Sequence, residues 1–419
     1  LFKIAFLALF ISISSMAFAQ VNPGDVITTN LTLTANLDAS AYGGSALRVG
    51  ANNITIDGAG FTITVNGNNN GIELNGRSGV TIKNVTVVGA TVNQGRGVSI
   101  NNSNNAIIEF NNFSSLFNGL YVSGTSSNVI VRNNDMSGSS NNAFESHYQA
   151  NSIDWVLKNN NMSGGSFYAL NYLGRLAELD GNDFRNSNRG VALTNGNHTG
   201  SPLVLTWQGT TTVPTTGPNK NLFGGHTSDP LSFSNMYWVN VSGWDISSLF
   251  TATATNKRGF TLDRVNNSHF EGNTLSGLQS GVYVRGSSSN TVVTDNDMSN
   301  CVNAFETYVH NGPNNSQWTV TDNIMTNASG WAITYIGSPA DISGNDFTGS
   351  NGGINFRSAN NFTLLGSSNT WDLADAAQGV FVEYTNGLTI QDLNIVGVGG
   401  TGIYARNGIS NLVIDGLES

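Results

Sequence analysis

The 419-residue chain holds one cysteine, seven prolines and only 11% charged residues. A lone thiol, Cys301, excludes a disulfide framework, so packing and hydrogen bonds must hold the fold, and the thiol itself is expected to be buried and inert. Cations are fewer than acids, with 5 Lys and 12 Arg spread thinly in a chain of formal charge −10. Nucleic-acid grooves and anionic-membrane patches need clustered cations, so neither partner is expected. No later apolar run reaches the roughly 18 residues of a membrane span. Strong helix formers are few as well, which excludes a mostly helical fold.

Turn formers are what the chain has in plenty. There are 49 Gly, and about one residue in seven is Asn, twice the number of Asp and Glu together. Gly tolerates positive φ, and Asn satisfies neighbouring backbone in bends. At the start, Leu1 to Ala19 carries one cation, Lys3, an apolar run from Ile4 to Ile13, and Ala17-Phe18-Ala19 before Gln20. This is the pattern of a secretory signal over residues 1–19, which implies a secreted, periplasmic or cell-surface protein. The initial Leu, and a stop four residues after Val413-Ile414-Asp415, a phrase that echoes Ile54-Thr55-Ile56-Asp57-Gly58, lead us to expect a fragment.

A fixed period is the main signal. An Asn followed two places later by a large apolar residue recurs at Asn111/Phe113, Asn134/Met136, Asn160/Met162 and Asn182/Phe184. It returns at Asn273/Leu275, Asn296/Met298, Asn323/Met325, Asn345/Phe347 and Asn369/Trp371. Successive apolar members are 23, 26 and 22 residues apart in the first group and 23, 27, 22 and 24 in the second. The shared order of long and short steps predicts a tandem duplication in which Arg96 to Leu193 aligns with Arg258 to Phe356. Each unit carries short alternating runs between Gly, Ser and Asn clusters, which is strand and turn chemistry. A unit of about 23 residues makes one coil of about three strands, and coils stacked at about 4.8 Å leave strand edges only at the two ends. Inward amides at one repeated corner then form a coil-to-coil ladder, so the Asn column is read as structural.

With Asn53-Ile54-Thr55-Ile56-Asp57-Gly58-Ala59-Gly60-Phe61-Thr62-Ile63 and these coils, the sequence resembles the right-handed parallel β-helix repeat proteins of the pectate-lyase-like superfold over roughly residues 50–419. The resemblance implies an all-β, single-stranded right-handed parallel β-helix with coils of about 22–27 residues. The expected order is a cap and first strand over 20–50, one array over 51–193, coils with long Pro- and Thr-rich loops over 194–256, and a second array over 257–419. The superfold hosts polysaccharide lyases, glycoside hydrolases, esterases, epimerases, adhesins and stalks, and fold does not choose among them.

Strand alternation places a column of outward residues on one sheet: Ser99, Tyr121, Glu145, Asn171 and Ala192, with Asn101, Ser123, His147 and Thr194 beside it. The second half supplies Thr261, Tyr283, Glu306, Thr334 and Asn355, flanked by Asp263, Arg285, Tyr308 and Arg357, and the face continues through Phe381, Glu383, Tyr404 and Arg406. Segments 146–154 and 307–317 follow the two glutamates as loops over the patch, with Tyr148 on one and His310 on the other. Loops on a rigid scaffold are where binding usually lives. One reading is a polymer-binding groove, with aromatic faces for sugar rings and carboxylate, Arg and amide groups for hydroxyls or uronates. The other is plain decoration of a solvated sheet.

Catalysis stays open. The candidates are Glu306, Arg285, Asp263, Glu145 and His147. Hydrolysis needs two carboxylates about 5 to 9.5 Å apart, and Glu306 with Asp263 is expected near the upper limit. Polygalacturonase-like members carry Asn-Thr-Asp, Asp-Asp, Gly-His-Gly and Arg-x-Lys; none is present, and Gly225-His226 is only a fragment. Lyase-like members pair calcium-binding acids with an Arg or Lys base, which Arg285 beside Glu306 would mimic, but no acidic cluster accompanies them. The Asn-Asp pairs beginning at Asn134, Asn182, Asn296 and Asn345 offer oxygen donors for Ca²⁺, yet their recurrence fits Asx turns better. The five histidines show no metal-ligand spacing. Two functions remain: a monomeric secreted protein that binds polysaccharide, with or without processing it; or a non-catalytic adhesive or structural stalk of a larger surface protein.

Overall fold

The computed structural model describes residues 21–147, 152–205, 221–250, 257–308, 315–374, 378–397 and 399–417. Among them the short apolar runs form parallel strands, from two residues at Leu31–Thr32 to thirteen at Tyr168–Asp180. The helical pieces are three-residue 3-10 turns, Ser247–Leu249 and Gly366–Ser368. No described helix is long and apolar enough to cross a membrane. The predicted signal over 1–19 lies outside the described residues.

A main ladder threads the chain. Among the described residues, fifteen successive parallel pairings carry it from Asp25–Ile27 to Thr401–Arg406. A second ladder stacks short strands such as Ile107–Glu109, Ile130–Arg132 and Val156–Lys158. A third side pairs Thr86–Gly89 with the start of Asn112–Val122, then shrinks to single bridges at Asp135, Asn161 and Asp183. The chain is an all-β parallel solenoid, as expected. Segment 194–256 contributes to the same main ladder, for Leu231–Ser234 pairs back to Val191–Thr194 and onward to Phe260–Asp263.

The core follows from alternation. Val98, Ile100, Leu120, Val122, Phe144 and Leu170 all turn inward with no exposed surface. The largest rings pack across the interior of a coil and onto the next: Phe144 lies 5.7 Å from Trp155 in its own coil and 5.8 Å from Tyr172 in the following one. Cys301 is buried, its Sγ donating to the Leu275 carbonyl, and burial pushes its thiol up to about 12.

One corner is built the same way in coil after coil. A residue with positive φ ends the second-side strand, and the next residue turns its side chain inward. The first position is Asn133 (φ 55°), Asn159 (φ 54°), Gly181 (φ 66°), Asp295 (φ 54°) or Asp322 (φ 57°), residue types that tolerate this backbone. The second is the predicted Asn. Asn111 Nδ2 donates to Asn134 Oδ1 at 2.9 Å, and Asn134, Asn160 and Asn182 each donate to the next at 3.0 Å. The second run, Asn273 to Asn369, does the same over 2.9–3.3 Å. Each acceptor oxygen also takes the backbone N–H of the preceding Asn, so the buried amides are satisfied. The first run extends to Asn221, which the sequence reading passed over. In the following coil the position holds Trp244, whose indole N–H donates to the Leu205 carbonyl at 3.2 Å, and the ladder stops there before resuming at Asn273.

Asn160→Ala removes four side-chain bonds and is expected to lower the free energy of unfolding by about 2–4 kcal/mol, read by urea denaturation. Phe110 holds the positive-φ position (56°) with an exposed ring. Phe110→Gly is therefore expected to raise the urea midpoint, by about 1 kcal/mol of stability.

Candidate functional site

The outward column has the register expected for it. Successive pairings align Glu73 with Ser99, Ser99 with Tyr121, Tyr121 with Glu145, and Glu145 with Asn171. The line continues through Ala192, Ser232, Thr261, Tyr283, Glu306, Thr334 and Asn355. Phe381 and Tyr404 complete it. Glu145 and Glu306 are six strand steps apart, roughly 29 Å. Between them the column carries Asn171, Ala192, Ser232 and Thr261, all small, before it reaches Tyr283.

Each glutamate sits in a similar setting. The Arg96 guanidinium carbon lies 3.8 Å from the centroid of the Tyr121 ring, and that of Arg258 lies 3.7 Å from the Tyr283 ring. On the next coil, His147 is 6.0 Å from Tyr121 and Tyr308 is 5.9 Å from Tyr283, both tilted. Each tyrosine is thus covered by a cation on one side and flanked by a second ring on the other. Glu145 Oε2 accepts from Asn118 Nδ2 at 2.8 Å. Glu306 Oε2 accepts from Ser280 Oγ at 2.6 Å and from Asn303 Nδ2 at 3.3 Å. Neighbouring polar groups therefore orient the carboxylates, with no ion pair to either among the described residues. Burial lifts the Tyr283 phenol above its ordinary range, although Arg258 opposes the shift.

Arg96 and Arg258 were not among the residues singled out. The signal was present, since both open the aligned stretches, but a guanidinium over a ring one coil away needs the register to be seen. Glu73 was missed as well; it accepts from Ser45 Oγ at 2.6 Å, as Glu306 does from Ser280.

The other candidates are placed differently. Asp263 lies on the coil of Thr261, two coils from Glu306, and holds Arg264 Nη2 at 3.0 Å. Two strand steps alone are roughly 9.6 Å, before any lateral offset, so this pair is no retaining dyad. Arg285 is exposed and makes no ion pair with Glu306 among the described residues. Arg357 is committed to the buried Glu383: its Nε donates to Oε2 at 2.8 Å. Asn407 and Arg406 approach the other oxygen. Desolvation works against the charged Glu383, but the bonds from Asn407 and Arg357 prevail and hold its carboxyl below the usual range. Tyr148 and His310 lie outside the described residues, with 148–151 of the first predicted loop and 309–314 of the second, while Ser146 and 152–154 are strand residues rather than loop. In the Asn-Asp pairs the amides belong to the ladder, while Asp135, Asp297 and Asp346 each accept the backbone N–H two residues on, the Asx turn. No group of three His, Cys, Asp or Glu able to hold a metal occurs among the described residues.

Gly225-His226 belongs to the core. His226 Nδ1 lies 3.0 Å from the Ser187 carbonyl, its Nε2 accepts from Gly224 N–H at 3.4 Å, and burial lowers its pKa to about 4.

No protein-family model matches the chain, and no curated protein does so. Among solved structures it is similar to the A-module of a mannuronan C-5 epimerase of Azotobacter vinelandii, at 13% identity and a TM-score of 0.32, over 93% of this chain and 91% of that one. It is similar to the Dettilon tailspike protein at 10% identity and 0.32, over 91% of this chain and 60% of that one. It is similar to an exopolygalacturonase from Thermotoga maritima at 10% and 0.21, over 94% and 83%. At these values the fold assignment rests on the strand register of the chain itself.

The unfolded imidazole titrates near 6.5, so the unfolded chain takes up a proton that folded His226 resists until about pH 4. Its stabilising contribution is full above about pH 6.5 and is lost as pH falls toward 4, on the order of 3 kcal/mol in all. Urea midpoints measured from pH 7 to 4 are expected to fall more steeply for the native chain than for His226→Gln.

Proposed function

We propose that the main sheet binds a polysaccharide chain along the solenoid axis, at two contact points centred on Tyr121 with Glu145 and on Tyr283 with Glu306. The observation that supports this reading is the recurrence of one arrangement, a guanidinium over a tyrosine beside a second ring and a hydrogen-bonded carboxylate, at two places on one column. Tyr283 is nearly buried beneath Arg258 and Tyr308, so the exposed Tyr308 ring offers the aromatic face to sugar C–H surfaces, and an oriented carboxylate accepts hydroxyl protons. The small residues between the two points let a long ligand lie close to the backbone. Surface sugars are reached outside the cell, and the sequence pattern over 1–19 supports secretion.

Bond cleavage has less support. The separation of Glu306 from Asp263, and the engagement of Asp263 by Arg264, favour binding alone. The purified chain should gain thermal stability with at least one member of a panel of neutral and acidic polysaccharides. Tyr283→Ala and Glu306→Gln should each reduce that gain, with circular dichroism unchanged. An equal gain in both variants would remove the main sheet as the site. Unsaturated-product absorbance or new reducing ends that depend on Glu306 would convert the binder into a lyase or a hydrolase.

A further inference from the structure

The second-side ladder breaks at two places where the main ladder does not, one after 174–180 and one between Thr319–Thr321 and Phe362–Leu365, and the first of these opens a cleft. Strand Ser152–Lys158 pairs with Gly174–Asp180, and Leu203–Leu205 pairs with Val239–Val241, but no pairing joins 176–180 to 203–205 among the described residues. The backbone between them stays bonded to the following coil, with His198 N–H donating to the Tyr237 carbonyl, and the Asn197 side chain caps Thr199. A cleft of about 500 Å³ opens at the break, walled by Leu176 and Leu179 on one side and by Pro202 and Val204 on the other. A neighbouring hollow of about 440 Å³ shares Arg175 and Thr199 with it.

Its polar groups converge and are incompletely used. Asp154 is the extra residue of a bulge between the paired positions Ile153 and Trp155, with φ 58°. Bulges re-aim side chains, and here Asp154 Oδ2 lies 2.6 Å from Arg175 Nη2. Arg175 Nε and His198 Nε2 are buried atoms without a hydrogen-bond partner. His198 is 3% exposed and lines the cleft. Buried polar atoms are nearly always satisfied, so two such atoms at one cleft point to a ligand or waters that satisfy them.

Charge narrows the ligand. Asp154 is matched by Arg175, and Glu178 on the wall is matched by Lys158 at 2.7 Å. With Asp180 also on the lining, no unmatched cation is left for an anion. Burial, with Arg175 nearby, lowers the His198 pKa to about 4, so the ring is neutral at pH 7 and adds no positive charge. What remains is a neutral set of donors and acceptors beside aliphatic walls, at a volume within the roughly 300–1,000 Å³ of small-ligand sites.

We propose that this cleft binds a short neutral saccharide, with Arg175 Nε and His198 Nε2 bonding its hydroxyls and Asp154 accepting from them. The site is separate from the main-sheet face and does not depend on how that face functions.

The test is calorimetric titration of the full chain with maltose, cellobiose, mannobiose and, as the acidic counterpart, digalacturonate. At least one neutral disaccharide is expected to bind with a Kd below about 10 mM. Arg175→Gln should weaken it at least about tenfold, the loss of a hydrogen bond to a charged group. Thr199→Arg, which fills the cleft from an exposed rim position, should abolish it, and it carries the test should Arg175→Gln fail to fold. No binding by any neutral disaccharide, undiminished binding in Thr199→Arg, or tighter binding of digalacturonate would each overturn the proposal.

Discussion

An amide that donates to its counterpart in one neighbouring coil and accepts from its counterpart in the other fixes both the rise and the azimuth of the chain. The Asn111 to Asn221 and Asn273 to Asn369 ladders do this inside an apolar core, where a missed bond carries its full desolvation penalty. A coil that slipped by one residue would swing its amide out of the line and turn its inward side chains to solvent. The column on the opposite sheet stays in register because this corner permits no slippage. Arg96 finds Tyr121, and Arg258 finds Tyr283, at nearly the same distance for that reason.

What the sequence makes legible is whatever repeats at coil spacing. The ladder positions and the outward parity of Tyr121, Glu145, Tyr283 and Glu306 follow from two periods, 23 or so along the chain and 2 along each strand. Asn221 escaped because its neighbour in the ladder, Asn182, is 39 residues earlier, with the inserted segment between them, although Asn221/Phe223 keeps the same two-residue spacing. The Arg–Tyr contacts and the Arg357–Glu383 pair escaped for another reason. Which of several nearby partners a long guanidinium side chain selects depends on rotamers and on the adjacent coil, and neither leaves a mark in a single unit. The cleft near His198 was invisible because it arises from a pairing that does not form.

The two sheet faces manage charge in opposite ways. On the second side, cations meet acids one coil away: Lys83 with Asp57, and Arg132 with Glu109. Such exposed rungs are worth little in stability, but they leave that face without a local field. On the main sheet, Arg96 and Arg258 lie on tyrosine rings while Glu145 and Glu306 are held by neutral donors. At these two points acids and cations coexist without cancelling and keep donors and acceptors available, whereas farther along the same sheet Arg357 pairs with Glu383.

The substitution of Trp244 for the ladder Asn, together with the break in the second-side ladder at 176–205, concentrates two interruptions in one part of the stack. In a linear array each coil is stabilised by its own folding and by its two interfaces, so cooperativity passes only through neighbours. Here each interface lacks one connection: the amide line still crosses the strand break through Asn182 and Asn221, and the second-side strands still pair around Trp244. The solenoid is therefore two strongly coupled blocks joined by a weaker coupling constant, and that joint is where a partly unfolded species, with one block intact, has its lowest free energy.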